Sequence, residues 1–344
     1  MQNPDLSLPS TMNAWVIDDF GGPEIFERRT IEVPEPSPQE VLVRVRATSV
    51  NPVDYKIRRG DAEALCPPRP ATLHGDVAGV VEAVGADVTA FAEGDAVYGC
   101  AGGFPGAPHG ALADYMPCDA RLLAPMPESL SFSQAAALPL VTLTAWEGLV
   151  DKAEVEAGDR VLVHGATGGV GHVGLQLAVW QGAEVAVTAS SQRKLDLGAD
   201  LGADALINYE EEPVEEYVER CTDGQEFDLV FDTVAGENVQ ASVEAARFNG
   251  EVATVGAPAE GGLRAAYGNG ISVHFVSMLI PILHGVGRAH HGDILRRTAT
   301  LVDEGHLRPL VDDRTFTFDE IGDAHAYAEA YKQIGKVVVT CPEA

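Results

Sequence analysis

Positive charge is scarce in this sequence: 23 lysines and arginines stand against 52 aspartates and glutamates among 344 residues. The formal net charge is −29 at pH 7, and only five residues are lysine. Because phosphate contacts need a basic patch, this charge excludes nucleic acid and anionic membrane surfaces as partners. So many carboxylates repel one another in dilute buffer. The composition therefore predicts a halophile's protein, whose carboxylates hold hydrated cations.

Cysteines and long apolar runs are also few. The five cysteines are odd in number and widely scattered, which predicts reduced thiols and no disulfide framework. No stretch reaches the roughly 18 uninterrupted apolar residues of a membrane span. The first residues, MQNPDLSLPSTMN, have neither the basic nor the apolar region of a signal peptide. We therefore expect a cytoplasmic protein.

The chain does contain enough apolar residues, 46%, for large cores, and its length predicts two domains. Residues 40–50 alternate apolar and polar side chains, so the first 130 residues are predicted to be rich in β-strands. From about residue 131, apolar strands alternate with helical patterns, which predicts an α/β fold with a doubly wound parallel sheet. The predicted strands of that sheet are residues 160–164, 184–188, 205–208, 228–232, 251–256 and 271–276.

The segment VHGATGGVGHVG, residues 163–174, has five glycines in twelve positions between a strand and a helical pattern. Gly165, Gly168 and Gly171 recur at every third residue. In dinucleotide-binding folds, such glycines allow a tight turn, close approach of the backbone to a pyrophosphate, and close packing of helix on strand. The helix start also offers free N–H groups to phosphate. Together with the six strands, this segment predicts a dinucleotide site.

The end of the second predicted strand indicates which dinucleotide binds. A NAD site usually has Asp or Glu there, about 20 residues after the first glycine. Here the strand ends VTASSQRK, residues 187–194, and it places Ser190, Arg193 and Lys194 where a 2′-phosphate would lie. The two basic residues could simply begin a solvated helix, but their rarity in this acidic chain favours a phosphate contact. NADP(H) is therefore the predicted cofactor.

Five motifs resemble the medium-chain dehydrogenase/reductase superfamily, most of all its quinone oxidoreductase branch, over nearly the whole chain from Met12. They are HGATGGVGHVGLQLA, NPVDYKIRRG (residues 51–60), LHGDVAGVVEAVG (residues 73–85), LPLVTLTAW and the terminal GKVVV. The resemblance implies a GroES-like catalytic domain, residues 1–130 and 282–344, and a Rossmann dinucleotide-binding domain inserted between them, residues 131–281. It also suggests a homodimer joined through the strand edge ISVHFVSML.

The same resemblance implies which residues hold the cofactor. Ser190, Lys194 and Tyr209 match positions that surround the 2′-phosphate in that branch. Glu251 departs from the pattern, because relatives often have a basic residue there. The predicted cofactor-binding residues are Thr144, Thr167, Gly168, Gly169, Val170, Ser190, Arg193, Lys194, Tyr209, Gly256 and Lys336.

Zinc-dependent members of this superfamily bind a catalytic metal through three protein ligands. The first cysteine ligand aligns with Asn51 and the histidine ligand aligns with Gly75, while LVTLTAW lacks the second cysteine. His74 stands one position early, and one step along a strand reverses the side chain. His74 is therefore expected to be a packed or capping histidine, and the protein is predicted to be independent of zinc.

Without a metal, another group must stabilise the oxygen of the reduced substrate. The resemblance places Asn51 and Lys56 beside the nicotinamide, with Lys56 as a partly desolvated cation, although a lysine there could also be a solvated surface residue. Tyr55 could line the pocket or belong to the core. Asp54 and Arg58 are expected to pair or to fix this loop. The predicted catalytic residues are Lys56, Asn51 and Tyr55.

The resulting hypothesis is a zinc-independent reductase that transfers hydride from NADPH to a quinone or an α,β-unsaturated carbonyl. Two alternatives remain open at this stage. A zinc-type alcohol dehydrogenase is disfavoured by the missing cysteines. A redox sensor that binds NADPH without turnover would share every motif described above.

Overall fold

The computed structural model describes residues 8–259 and 262–341. The chain forms two compact units. The first comprises the described residues of Met1–Leu140, Leu279–Asp303 and Val311–Ala344, and the second those of Val141–Met278 and Glu304–Leu310. None of the helices in the described residues combines the length and apolar composition needed to cross a membrane.

The strands belong to three sheets. They are β1 (Thr11–Ile17), β2 (Glu27–Glu32), β3 (Glu40–Ser49), β4 (Ala71–Thr72), β5 (Asp76–Val84), β6 (Ala96–Cys100), β7 (Tyr115–Asp119), β8 (Leu123–Pro125), β9 (Arg160–His164), β10 (Glu184–Ala189), β11 (Ala205–Asn208), β12 (Phe227–Asp232), β13 (Ala246–Thr254), β14 (Ser272–Phe275), β15 (Phe316–Thr317) and β16 (Val338–Thr340).

The helices vary from one to four turns. They are α1 (Pro52–Arg59), α2 (Phe132–Ala136), α3 (Pro139–Trp146), α4 (Gly169–Gln181), α5 (Gln192–Asp200), α6 (Val214–Thr222), α7 (Asn238–Ala245), α8 (Gly262–Asn269), α9 (Ile280–His284), α10 (Arg288–Asp303) and α11 (Ile321–Glu329). Short 3-10 turns lie at Pro23–Ile25, Glu63–Leu65, Ala120–Leu122 and Phe318–Glu320, and Glu147–Lys152 is a π-helical turn.

The second unit contains a six-stranded sheet in the order β11-β10-β9-β12-β13-β14, in which all paired strands are parallel. This order is that of the doubly wound Rossmann fold, so the predicted fold class is confirmed. β9 and β11 have the predicted bounds. β13 begins at Ala246, five residues earlier than predicted, because its first half, ARFNG, lacks the apolar run that indicates a buried strand.

The first unit is built around β3, a ten-residue strand that pairs antiparallel with β5, β7 and β16. Its sheet has the order β15-β16-β3-β5-β6-β8, and a separate sheet has the order β2-β1-β4. The pairing of β16 with β3 brings the last strand of the chain beside the end of β3. This pairing positions Lys336, just before β16, near Asn51, just after β3.

The predicted domain bounds remain a prediction. In the structure, residues 131–140 lie with the first unit and residues 304–310 with the second. The predicted ends of the catalytic domain, residues 1–7 and 342–344, lie outside the described residues.

Candidate cofactor site and active site

The glycine turn of the second unit leads from β9 into α4. Gly165 has a φ of +70°, in the left-handed region that glycine adopts without strain. Gly168 precedes the helix without a side-chain cap. A Cβ at Gly168 would lie 3.2 Å from the Gly165 carbonyl oxygen, so the turn is tight at this point. The first N–H groups of α4 have no partner within a helix and could bind a phosphate.

Gly171 and Gly174 let α4 pack closely on the sheet. A Cβ on Gly171 would lie 2.1 Å from the carbonyl oxygen of Gly165, and one on Gly174 would lie 2.5 Å from the ring of Phe231. Neither position can accept a side chain unless the backbone or the core moves. Gly165 thus makes the tight turn and Gly171 allows the close packing of helix on strand. The approach of Gly168 to a pyrophosphate stays a prediction.

The predicted 2′-phosphate residues lie around the end of β10. Lys194, on the first turn of α5, donates from Nζ to Ser190 Oγ over 3.3 Å. Arg193 is exposed, and Tyr209, which follows β11, is 55% exposed. β10 ends in Ala189 and Ser190, so no carboxylate stands at this strand end. The local structure therefore brings together a cation and a hydroxyl that could hold a phosphate, and the backbone N–H of Tyr209 donates to the carbonyl of Ala189 beside them.

The remaining predicted cofactor residues of the second unit occupy several elements. Thr167 is buried within the glycine turn, and Gly169 and Val170 begin α4. Thr144 is buried on α3. Gly256 follows β13, and a Cβ there would lie 2.9 Å from that of Ala235.

In the first unit, a buried polar cluster surrounds Asn51 at the start of α1. Asn51 is 1% exposed, and its backbone N–H donates to Asp54 Oδ2 over 2.7 Å. Burial raises the pKa of the Asp54 carboxyl to about 7. This bond between the residue before the helix and the third residue of the helix fixes the direction in which the chain enters α1.

Asp76, the first residue of β5, is the acceptor at the centre of the cluster and is fully buried. Its Oδ2 accepts from Ser49 Oγ over 2.6 Å and from Asn51 Nδ2 over 2.7 Å. Its Oδ1 accepts from the backbone N–H of Leu140 over 2.8 Å. These donors compensate for the burial of a carboxylate, which is costly when unpaired.

Lys336 completes the cluster and is only 3% exposed. Its Nζ donates to the carbonyl of Val50 over 2.9 Å and to Asn51 Oδ1 over 2.5 Å, and it lies 3.7 Å from Asp76 Oδ2. Burial lowers the pKa of the Lys336 ammonium, and the charge of Asp76 opposes this shift. Because three protein oxygens surround the ammonium, a direct contact of Lys336 with the cofactor stays a prediction.

The other two predicted catalytic residues lie on α1 in different surroundings. Tyr55 is 4% exposed, and its hydroxyl lies 3.0 Å from that of Tyr331. Lys56 is exposed on α1, and its partial desolvation beside the nicotinamide stays a prediction. Arg58 is fully buried and pairs with Glu329, not with Asp54. Both Asp54 and Arg58 therefore fix the helix, but they do so through other partners.

His74 is packed inside the first unit, as expected. Its Nδ1 lies 3.2 Å from Thr48 Oγ1 and its Nε2 lies 2.8 Å from Nε2 of His325, whose ring stacks on it. Thr48 Oγ1 donates to the carbonyl of Asp76, so it accepts from His74 Nδ1. Burial lowers the pKa of His74 to about 3 and that of His325 well below its usual value, so both rings are neutral.

Comparison with known proteins identifies the family. Residues 37–128 match the alcohol dehydrogenase GroES-like domain, and residues 201–339 match the zinc-binding dehydrogenase family. The chain is 36% identical over 343 residues to the NADPH-dependent alkenal/one oxidoreductase of Arabidopsis thaliana, covering 97% of this chain and 81% of that protein. It belongs to the medium-chain dehydrogenase/reductase superfamily.

Two further comparisons within the superfamily agree. The human quinone oxidoreductase is 34% identical over 246 residues, which cover 71% of this chain and 73% of that protein. The crystal structure of an alcohol dehydrogenase superfamily protein from Novosphingobium aromaticivorans has a TM-score of 0.90 and 40% identity, covering 96% of this chain and 99% of that one.

Some members of the medium-chain dehydrogenase/reductase superfamily bind zinc, but the residues present here do not fit that metal. A Cβ at Gly75 would lie 2.9 Å from both Cys100 Sγ and Phe104 Cε2, so the position has no room for a ligand side chain. The Lys336 ammonium already lies beside Asn51. Within the part of the chain that the structure describes, no three His, Cys, Asp or Glu side chains are grouped to hold a metal ion.

Proposed function

We propose that this protein is a zinc-independent reductase that uses NADPH to reduce quinones or α,β-unsaturated carbonyl compounds. The observation that carries the proposal is the cluster of Asn51, Asp76 and Lys336, in which a buried ammonium binds Asn51, the residue at the position of a zinc ligand. The similarity to an NADPH-dependent alkenal/one oxidoreductase over 97% of the chain supports both the cofactor and the substrate class.

The chemistry that NADPH would supply when bound is transfer of a hydride to the β-carbon of an enone or to a quinone, with a proton from water completing the reduction. The protein's own task is to hold the cofactor and to stabilise negative charge on the substrate oxygen. In the second unit, the glycine turn and the start of α4 would hold the pyrophosphate, and Ser190, Lys194 and Tyr209 the 2′-phosphate. In the first unit, Asn51 would donate to the oxygen, with Tyr55 and Lys56 as further candidates.

A steady-state screen of NADPH oxidation with a panel of quinones and enones tests this function. We expect turnover with at least one of these classes and a clear preference for NADPH over NADH. If the protein binds NADPH but turns over none of them, it is better explained as a redox sensor. Equal kcat/KM for NADPH and NADH would contradict the cofactor assignment.

The first specific prediction concerns zinc. Because Asn51 and Gly75 occupy the ligand positions, the purified enzyme should contain far less than one zinc per chain and should keep its activity in chelator. Elemental analysis measures the zinc content and a steady-state assay measures the activity, both before and after dialysis against EDTA. One zinc per chain, lost together with activity, would overturn zinc independence.

The second prediction concerns salt and a halophilic origin. The net charge of −29 should make the folded state repel itself until cations screen it. Folding and activity should therefore need on the order of molar KCl or NaCl, well above the ~0.1 M range in which ordinary surface charges are screened. The melting temperature and kcat are measured over the same KCl series, from dilute buffer to about 3 M, so that any loss of activity can be compared with loss of the folded state. Full activity and an unchanged melting temperature in dilute buffer would rule out this adaptation.

We further propose a cytoplasmic homodimer. All five cysteines are free thiols, which supports a reducing compartment. β14 is an edge strand of the six-stranded sheet, with Phe275 45% exposed on it, and such an edge offers unpaired backbone groups to a second copy. Light scattering on the purified protein measures the assembly.

A further inference from the structure

The cluster around Asn51 determines which way the amide of this residue points. The Lys336 ammonium can only donate, so the atom of Asn51 that faces it is Oδ1. The Asp76 carboxylate accepts, so the atom that faces it is Nδ2. The amide is therefore held at both ends, by a cation and an anion that are themselves buried.

One hydrogen of Asn51 Nδ2 is left after these bonds are counted. The amide has two hydrogens, and Asp76 takes one of them. No partner for the second hydrogen is found among residues 8–259 and 262–341. Hydrogen bonds in series polarise one another, so an ammonium on Oδ1 makes the remaining N–H a stronger donor.

Lys336 and Lys56 differ in their exposure to water, which determines how strongly each charge acts on its surroundings. Lys56 is exposed, and water screens its charge. Lys336 is 3% exposed, so its charge acts over a short distance in a medium of low polarity. The nearby Asp76 keeps this buried cation paired.

We infer that Lys336, together with Asp76, is a positioning residue that orients and polarises the Asn51 amide so that its free N–H donates to the substrate oxygen. The inference deepens the proposed function and rests on it. Lys336 itself touches neither substrate nor cofactor in this account. Its charge acts on the substrate oxygen only by polarising the Asn51 amide, which donates to that oxygen.

The test compares two neutral replacements. Removing Lys336 alone would leave Asp76 buried and unpaired, which destabilises proteins strongly. The double variant Lys336→Met/Asp76→Asn removes both charges and restores neutrality. Lys336→Gln is the second variant: it removes the charge but keeps a donor group, and Asp76 keeps its hydrogen bonds from Ser49, Asn51 and Leu140. Lys332→Met, an exposed lysine of the same unit, is the matched control.

For both variants, kcat with an enone should fall roughly tenfold or more, on the scale of a weakened oxyanion donor. Each variant should be folded, as shown by a cooperative thermal transition. Its Kd for NADPH and its KM for the enone should change less than twofold. A folded double variant with the kcat of the wild type would show that the pair is only structural. A raised Kd for NADPH with unchanged kcat would make Lys336 a cofactor residue; either result overturns the inference.

These outcomes are separate from failure of the proposed function. If the wild type oxidises NADPH with no quinone or enone, the proposed function is overturned and this inference with it. If the wild type is active and a folded variant is equally fast, only the inference fails.

Discussion

Gly171→Ala is expected to destabilise the second unit and to weaken NADPH binding. The added Cβ would lie 2.1 Å from the carbonyl oxygen of Gly165, which is backbone and cannot rotate away. Overpacking typically costs about 1–3 kcal/mol, and a clash with backbone should reach the upper end of that range. Because the displaced turn is the predicted pyrophosphate site, Kd for NADPH should rise at least tenfold even where the protein stays folded.

Gly268→Ala is the matched control for this prediction. Gly268 lies on α8 in the same unit, and a Cβ there would meet no heavy atom within 4 Å. Since alanine favours a helix over glycine by up to about 1 kcal/mol, this variant should be neutral or slightly more stable. Urea unfolding and NADPH fluorescence titration measure both variants. Wild-type stability and affinity in Gly171→Ala would show that α4 does not pack as described.

Lys194→Ala is expected to weaken NADPH binding by roughly 10- to 100-fold and to leave NADH binding nearly unchanged. A charge-assisted hydrogen bond to a phosphate contributes about 1.5–3 kcal/mol, which corresponds to that range. Lys194 already contacts Ser190 Oγ, so both groups face the same small volume. Molar salt screens the charge, so the lower end of the range is expected.

Lys152→Ala is the control for Lys194→Ala, since Lys152 is the other lysine of the same unit; it is half-buried and also donates to the carbonyl of Phe275. Lys152 pairs with Glu147 over 2.8 Å, and such pairs contribute little to stability. Its Kd for NADPH should equal that of the wild type. An equal loss of NADPH and NADH affinity in Lys194→Ala would mean that Lys194 contacts a part of the cofactor common to both.

The sequence predicted the second unit well because its signals are local. The apolar centre of β9, Val161–Val163, is buried, and Gly165, whose positive φ the turn requires, follows the strand directly, so one short stretch of sequence determines both strand and turn. The parallel order followed from the alternation of such strands with helices. The predicted start of β13 is wrong because its first residues, ARFNG, form no apolar run and carry no periodic signal.

The polar cluster was predicted only in part because its members are far apart in the chain. Asn51 belongs to a local motif, but Lys336 lies 285 residues later and reaches it only through the pairing of β16 with β3. Local sequence could not distinguish a buried lysine from an exposed one, so Lys56 was preferred as the cation. One local signal indicates that Lys336 is the buried cation: it lies in the apolar run GKVVV, where a charged residue needs a buried partner.

The most direct test of the central claim follows the hydride. NADPH carrying deuterium at the transferred position of C4 is incubated with the enzyme and an enone, in molar KCl with EDTA, and the product is analysed by mass spectrometry and NMR. The account predicts one deuterium at the β-carbon and none at the α-carbon, which takes its proton from water. Absence of deuterium at the β-carbon, or transfer that occurs only after zinc is added, would contradict it.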